Sequence, residues 1–393
     1  MWLSDFKLVL PDRIIENGSI LVEHGRIADI LDHPVQSGVD GRGAYILPGF
    51  VDMHGDMIEL EMEPRTNVHF PIEVALPHLD ARLAAAGVTT AYAAVSFSRS
   101  ARKGERRSFE HTSNVIRSLY RLKGDCRVDH KIHARFDITF DNAVGVLQDL
   151  VNDDQVDLVS LMDHTPGQGQ YRDIERHIQL TAQRQKVSED EARQSIEERI
   201  ERRKRPEEEI LNNIRKVSEI CKVQGVSLAS HDDDTVQKAN LMADIGAVIA
   251  EFPVALEAAR ATAARGMMNA MGAPNAMRGQ SYSGNLSARQ AHQEGLLHIL
   301  ASDYHPAAIL ASVFILAKSD PNGLPGAVAL ASANPAKALG LSDRGQLAIG
   351  QRADLCIVER QRATRVIGTL SEGNVIYSAG LLTGLTPKSC RAA

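Results

Sequence analysis

Apolar residues come in short runs along this chain, set between longer stretches of mixed polarity. At the start, Phe6–Leu10, Ser19–Glu23 and Arg26–Leu31 read as strands, the last two joined by a His24-Gly25 turn. Towards the other end, Arg344–Leu347 and Ala353–Val358 read as strands around a turn at Gly350. Both ends are β-rich and the middle is not, which predicts a small β-sandwich domain assembled from residues 1–47 and 341–393. Between 48 and 340, apolar runs alternate with helical stretches. The runs are Val51–His54, Val88–Ser96, Lys131–Ile138, Leu158–Asp163, Val226–His231, Ala247–Phe252, Gly266–Ala270 and Leu297–Asp303. That alternation predicts an α/β fold, a (β/α)8 TIM-type barrel whose site lies at the C-terminal ends of its strands.

One interval breaks the rhythm. From Tyr171 to about Lys222 the chain is charged and free of glycine, with Pro206 its single proline. Mixed charges at helical spacing predict a helical insertion with a solvated face; a lid over the site and a subunit contact are the alternatives.

At 393 residues the chain exceeds one ordinary core, but barrels reach this size as one unit. Apolar residues at 44% and charged residues at 24% fit a soluble globular protein, and a net charge of −6 argues against a nucleic-acid surface. Cys126, Cys221, Cys356 and Cys390 form no CxxC pair and fit free thiols in a reducing compartment. The first residues carry Asp5, Asp12 and Glu16 instead of a basic region and a long apolar run. The expectation is a cytoplasmic protein with no membrane or nucleic-acid partner, assembled as a homodimer.

Polar residues gather at the expected strand ends: Asp137, Thr139, Asp163, His164, His231 to Asp234, Glu251 and Asp303. Loops are polar in any case, but histidines recurring at such ends are harder to dismiss. His54 and Asp56 sit two apart after the first barrel strand, a spacing that points both the same way on extended backbone. Imidazole and carboxylate suit a divalent cation, and a catalytic site needs at least three such ligands plus a place for water. The candidate ligands are His54, Asp56, His164, His231 and Asp303, for one or two ions, zinc first, then manganese, iron or magnesium. Asp303 is also the candidate to take the proton of an attacking water. His133 is open between a further ligand, a substrate contact and a structural role; His111, His177, His292 and His298 have no site context.

Three features point to a phosphorylated small molecule as substrate. Positions 99–107 hold five cationic residues and one anionic residue in a chain that is acidic overall. The stretch 272–285 mixes glycines, hydroxyls and amides with Arg278, so Ser281, Ser283, Asn285 and a bidentate Arg278 could hold phosphate oxygens. Arg65 follows just beyond the His54 strand. All three fall on the face expected to carry the metal.

Pro48-Gly49-Phe50-Val51-Asp52 leading into His54-Gly55-Asp56 resembles the first-strand signature of the amidohydrolase superfamily, where a His-x-His stands at the end. Asp56 takes the place of the second histidine. The lysine that often bridges two metals on the fourth strand has no counterpart in Leu158–His164, so a bridge would fall to Asp56, Glu59 or a solvent hydroxide. Read together, several segments closely resemble the branch of that superfamily that works in phosphonate degradation. They are His54–Glu59, Glu63-Pro64-Arg65, Leu83–Ser98, Asp163–Gln168, Ser230–Asp233 and Pro274–Asn285, the last with Tyr282 where a histidine would be expected. The resemblance runs along nearly the whole chain. It implies metal-dependent hydrolysis of α-D-ribose 1-methylphosphonate 5-triphosphate to the 5-phosphate and pyrophosphate. The alternative enzyme is a deaminase or cyclic amidase on a small uncharged ring, since fold alone does not fix function. A rival of another kind is a catalytically silent barrel that uses the 171–222 insertion for assembly.

Overall fold

The computed structural model describes residues 1–65, 68–97, 109–140, 143–281 and 284–382. The cationic loop at 99–107, Tyr282 and Ser283 lie outside them.

The two ends of the chain form one eight-stranded sheet. Its strands are β1 (Trp2–Val9), β2 (Ile14–Glu23), β3 (Arg26–Leu31), β4 (Val39–Asp40) and β5 (Tyr45–Pro48) from the start, then β14 (Leu355–Arg360), β15 (Thr364–Ser371) and β16 (Asn374–Ser378). β5 joins the halves, parallel to β1 and antiparallel to β14. The sheet curls until β3 meets the approach to β14, where the Ile27 amide donates to the Gln351 carbonyl at 2.9 Å. Leu3, Phe6, Leu8, Ile20, Ile27, Ile46, Leu355, Ile357 and Leu370 close inside it as one core. Arg344–Leu347 is a correction: it forms no ladder. Arg344 points instead to the foot of the barrel, pairing with Asp129 at 2.6 Å and with the Thr90 hydroxyl at 2.9 Å.

The barrel has eight parallel strands: β6 (Phe50–Gly55), β7 (Val88–Phe97), β8 (Asp129–Asp137), β9 (Leu158–Met162), β10 (Ser227–His231), β11 (Ile249–Glu251), β12 (Met268–Gly272) and β13 (Ile299–Ala301). It closes between β6 and β13 by a single bridge, Gly55 to Asp303, at the mouth. Met53, Tyr92, Leu158, Ala229, Ile249, Ala270 and Ile299 fill the interior beneath. Two glycines let the terminal sheet sit close: a Cβ at Gly49 would collide with Thr89, and one at Gly87 (φ +84) would strike Cys356 of β14. The core is accordingly continuous across the junction, with Leu47, Cys356 and Val358 in the same apolar cluster as the barrel helices.

The 171–222 interval is three helices, Ile174–Gln185, Glu189–Arg203 and Glu207–Gln224. The last is the ordinary barrel helix between β9 and β10, buried against the core through Ile214, Val217 and Cys221. The first two form the true insertion around Ile178, Ala182, Ala192 and Ile196, with a Ser188/Glu191 capping box starting the second. This pair is not merely a solvated face. Arg199 donates to the His164 carbonyl at 2.8 Å, and Arg203 bonds the Thr165 hydroxyl at 3.0 Å and pairs with Asp137.

Candidate metal centre and substrate cavity

Register builds the centre. β10 and β11 align His231 with Glu251, so the imidazole Nδ1 meets the carboxylate at 2.9 Å. β8 carries His133 and Arg135 two residues apart and both buried, His133 against Ser160 at 2.9 Å. In β6 the ladder slips between Asp52 and Gly55, a bulge that re-aims His54. Asp52 anchors that bulge by accepting the Ser302 amide at 2.9 Å.

The result is two trios, His54/His133/Glu251 and His164/His231/Asp232, each with ligand atoms within 4.8 Å of one another. In the first, His54 Nδ1 lies 3.2 Å and His133 Nε2 lies 3.4 Å from Glu251, and all three side chains are sealed from solvent. In the second, His164 and His231 lie 3.6 and 3.7 Å from Asp232. His54 stacks over His231 with ring centroids 5.6 Å apart, and Phe252 stands edge-on to both.

The electrostatics show what the cluster demands. Burial alone would depress the His54 imidazole, yet Glu251 and Asp56 lift it to about 10. Burial holds His133 down at about 3. Against its own burial, Glu251 is kept well below the carboxylate range by His133 and His54. Burial, and next the charge of Asp56, raise Asp303 to about 6. This compact set of buried carboxylates and imidazoles, which draws a proton onto His54, therefore calls for positive charge. Moreover, among the described residues, both nitrogens of His54, Nδ1 of His133, Nε2 of His164, Oε1 of Glu251 and Oδ2 of Asp232 are buried without a hydrogen-bond partner. Buried polar atoms rarely go unpaired, and lone pairs converging in this way fit a divalent ion.

Three residues at the strand ends adopt the left-handed region that side chains avoid: Asp232 (φ 53), Phe252 (φ 54) and Asp303 (φ 58). Strain of this kind concentrates at functional sites. Asp303 is held there by two backbone bonds, its amide to the His54 carbonyl at 3.0 Å and its carbonyl from the Asp56 amide at 2.7 Å.

Above the trios opens a cavity of about 470 Å³. His54, Asp56, Arg135, His231, Asp232 and Asp303 line it together with Asn275, Arg278, Asn285 and Gln170. Most of the anticipated residues thus meet. Asp56 meets them differently from expectation: the strand ends at Gly55, and Asp56 precedes the helix Met57–Met62 at φ −79, ψ 13, so it is not extended. From there it lies 3.4 Å from His54 and binds Arg135 at 2.7 Å. His133 lies beneath the floor and does not line the cavity. Arg65 is exposed and bridges to Val68 away from the cavity; Ser281 is half-buried outside its lining.

Glu251, Asp232 and Arg135 are the residues the sequence did not single out as members of the centre. The available signal was a charge inside a buried strand: Glu251 ends Ile249-Ala250, and Arg135 interrupts Ile132–Phe136.

A parallel barrel closed beside a cavity of imidazoles and carboxylates, with a sheet from both termini at its flank, defines the class as a hydrolase barrel of the amidohydrolase kind. Comparisons agree. The amidohydrolase family profile matches residues 324–377. The chain is 35% identical over 366 residues to an Escherichia coli (strain K12) protein, α-D-ribose 1-methylphosphonate 5-triphosphate diphosphatase, covering 92% of this chain and 96% of that one. Similar solved structures include a 5-methylcytosine deaminase from Klebsiella pneumoniae, with a TM-score of 0.64, 16% identity and coverage of 96% and 97% of the two chains. Another is an N-acetyl-D-glucosamine-6-phosphate deacetylase from Mycobacterium smegmatis, at 0.62, 15%, and 96% and 100%. At those identities the likeness is one of fold. The chain belongs to the amidohydrolase superfamily and, within it, to the family of the E. coli diphosphatase.

Proposed function

We propose that the chain hydrolyses α-D-ribose 1-methylphosphonate 5-triphosphate to the 5-phosphate and pyrophosphate. The observation that carries this reading is one cavity lined both by ligand-type imidazoles with Asp303 and by Arg278 with Asn275 and Asn285. An uncharged ring substrate would leave Arg278 without a purpose. The name of the E. coli relative supplies the particular sugar.

In this reading a divalent ion, zinc first, would be held at the trios, with His54, His133 and Glu251 as its ligands and His164, His231 and Asp232 beside it. When bound, such an ion supplies an acidified water and neutralises phosphoryl charge. Asp303, which takes and releases its proton near pH 6, accepts the proton of the attacking water and delivers it later. Arg278, whose side chain reaches the Gln280 carbonyl at 3.3 Å, turns to the phosphate chain with Asn275 and Asn285. Phe252 keeps water off the back of the His54–His231 pair.

The test is pyrophosphate release from the ribosyl triphosphate, compared with ATP, in oxygen-18 water. Label in the 5-phosphate or in pyrophosphate is expected, according to which phosphorus is attacked. Label solely in orthophosphate, or ammonia release from a ring substrate with no triphosphate turnover, would overturn the assignment.

A further inference from the structure

We propose that Arg135 is a built-in cation of the metal centre: its guanidinium takes the place of a second metal ion, so that each chain binds one. The proposal rests on the metal-centre reading above and goes beyond it.

Arg135 is almost fully buried in the middle of β8. It donates from Nη1 to Asp56 Oδ1 at 2.7 Å and from Nη2 to His231 Nε2 at 3.1 Å. A guanidinium can only donate, so His231 Nε2 is the accepting nitrogen and its Nδ1–H is the one that meets Glu251. The lone pair through which His231 faces His164 and Asp232 is therefore already spent on a positive charge. So is the near oxygen of Asp56. One of these two acceptors belongs to the second trio, and the other lies 3.4 Å from His54 of the first.

The guanidinium does not lose its charge in proteins, so it cannot make room for a second dication by deprotonating. Two cations set side by side would repel within a low-dielectric site. The unpartnered atoms of the other trio, on His54, His133 and Glu251, remain free of Arg135. Arg135 also lines the cavity, so the charge that excludes a second ion faces the substrate. The unusual Asp56 acquires a reason: a carboxylate at that position binds a guanidinium, which an imidazole cannot do while also accepting from it as an anion.

Metal analysis of the purified chain and of Arg135→Met and Arg135→Lys, each equilibrated with excess zinc and dialysed, tests this. The expected contents are about one ion per chain for the parent and the lysine variant and about two for the methionine variant. Loading the parent with manganese gives a second readout that needs no variant. An isolated ion shows its own hyperfine pattern in electron paramagnetic resonance, whereas two adjacent ions couple. A coupled spectrum or two ions in the parent would overturn the proposal, as would one ion in a folded methionine variant. A parent that binds no ion would instead bring down the metal-centre reading, a result distinct from either.

Discussion

The two ends of the barrel treat buried polar groups in opposite ways. At the foot, Asp80 accepts the Arg127 and Val128 amides at 3.1 and 3.0 Å and meets His130 at 3.1 Å. With Cys126 this makes a third cluster of metal-ligand types, yet the carboxylate is satisfied by the backbone it clamps, and a single ring nitrogen, His130 Nδ1, lacks a partner there among the described residues. At the mouth, His54, His133, Glu251, His164 and Asp232 all hold atoms with no partner, and Asp232, Phe252 and Asp303 stand in left-handed backbone. Similar residue types therefore mean different things. Where hydrogen bonds close, a cluster holds the chain together; where they are left open under strain, it awaits a ligand.

Asp303→Asn breaks the mouth with the largest expected effect. Loss of a proton acceptor should lower turnover by about a thousandfold. The melting temperature should hold or rise, because burial already disfavours the charge on Asp303. An assay beside a thermal melt checks both, and a variant with full activity removes Asp303 from the chemistry. Next comes Glu251→Gln. Three imidazoles lie around this carboxylate, so metal affinity should fall by at least 10–100-fold, read by competition with a chelator. Unchanged affinity would mean that the inner trio is structural, like the foot.

Much of this contrast was legible in the sequence, for reasons that can be named. The barrel followed from eight apolar runs, and the centre from His54, His164, His231 and Asp303 at their ends, because strand ends are local features. Glu251 and Arg135 needed the register between neighbouring strands, which pairs residues far apart in the chain. Asp56 was misjudged in orientation because a bulge and a helix start intervene within two residues. Arg344–Leu347 had the polarity of a strand, but its arginine is drawn to Asp129. The insertion's charges read as solvated because helical spacing does not reveal that Arg199 and Arg203 reach the loops after β8 and β9.

At the foot, Asp80→Ala should cost about 3 kcal/mol of stability, as two backbone amides and the His130 ring lose their buried partner. Metal content and turnover should stay at the parent values once the protein is folded. If the variant lost its metal, the opposition between the two ends would fail, and the Asp80 cluster would rank with the mouth.

The smallest effect sharpens the comparison by testing the insertion whose Arg199 and Arg203 reach the strand ends at the mouth. His177 is buried there, its ring 4.2 Å from that of Tyr171, and burial, with Arg199 next, pulls its pKa down to about 4. An unfolded histidine takes up its proton near pH 6.5, so between 6.5 and 4 the unfolded chain binds more protons than the folded one. Stability contributed by neutral His177 is therefore present above pH 6.5 and lost as pH falls towards 4. His177→Phe keeps the ring contact and removes the titration. Its melting temperature should exceed the parent's by more at pH 5 than at pH 7. An equal difference at both pH values would show that His177 is already charged in the folded insertion, and that this element meets the barrel through water instead of through its buried face.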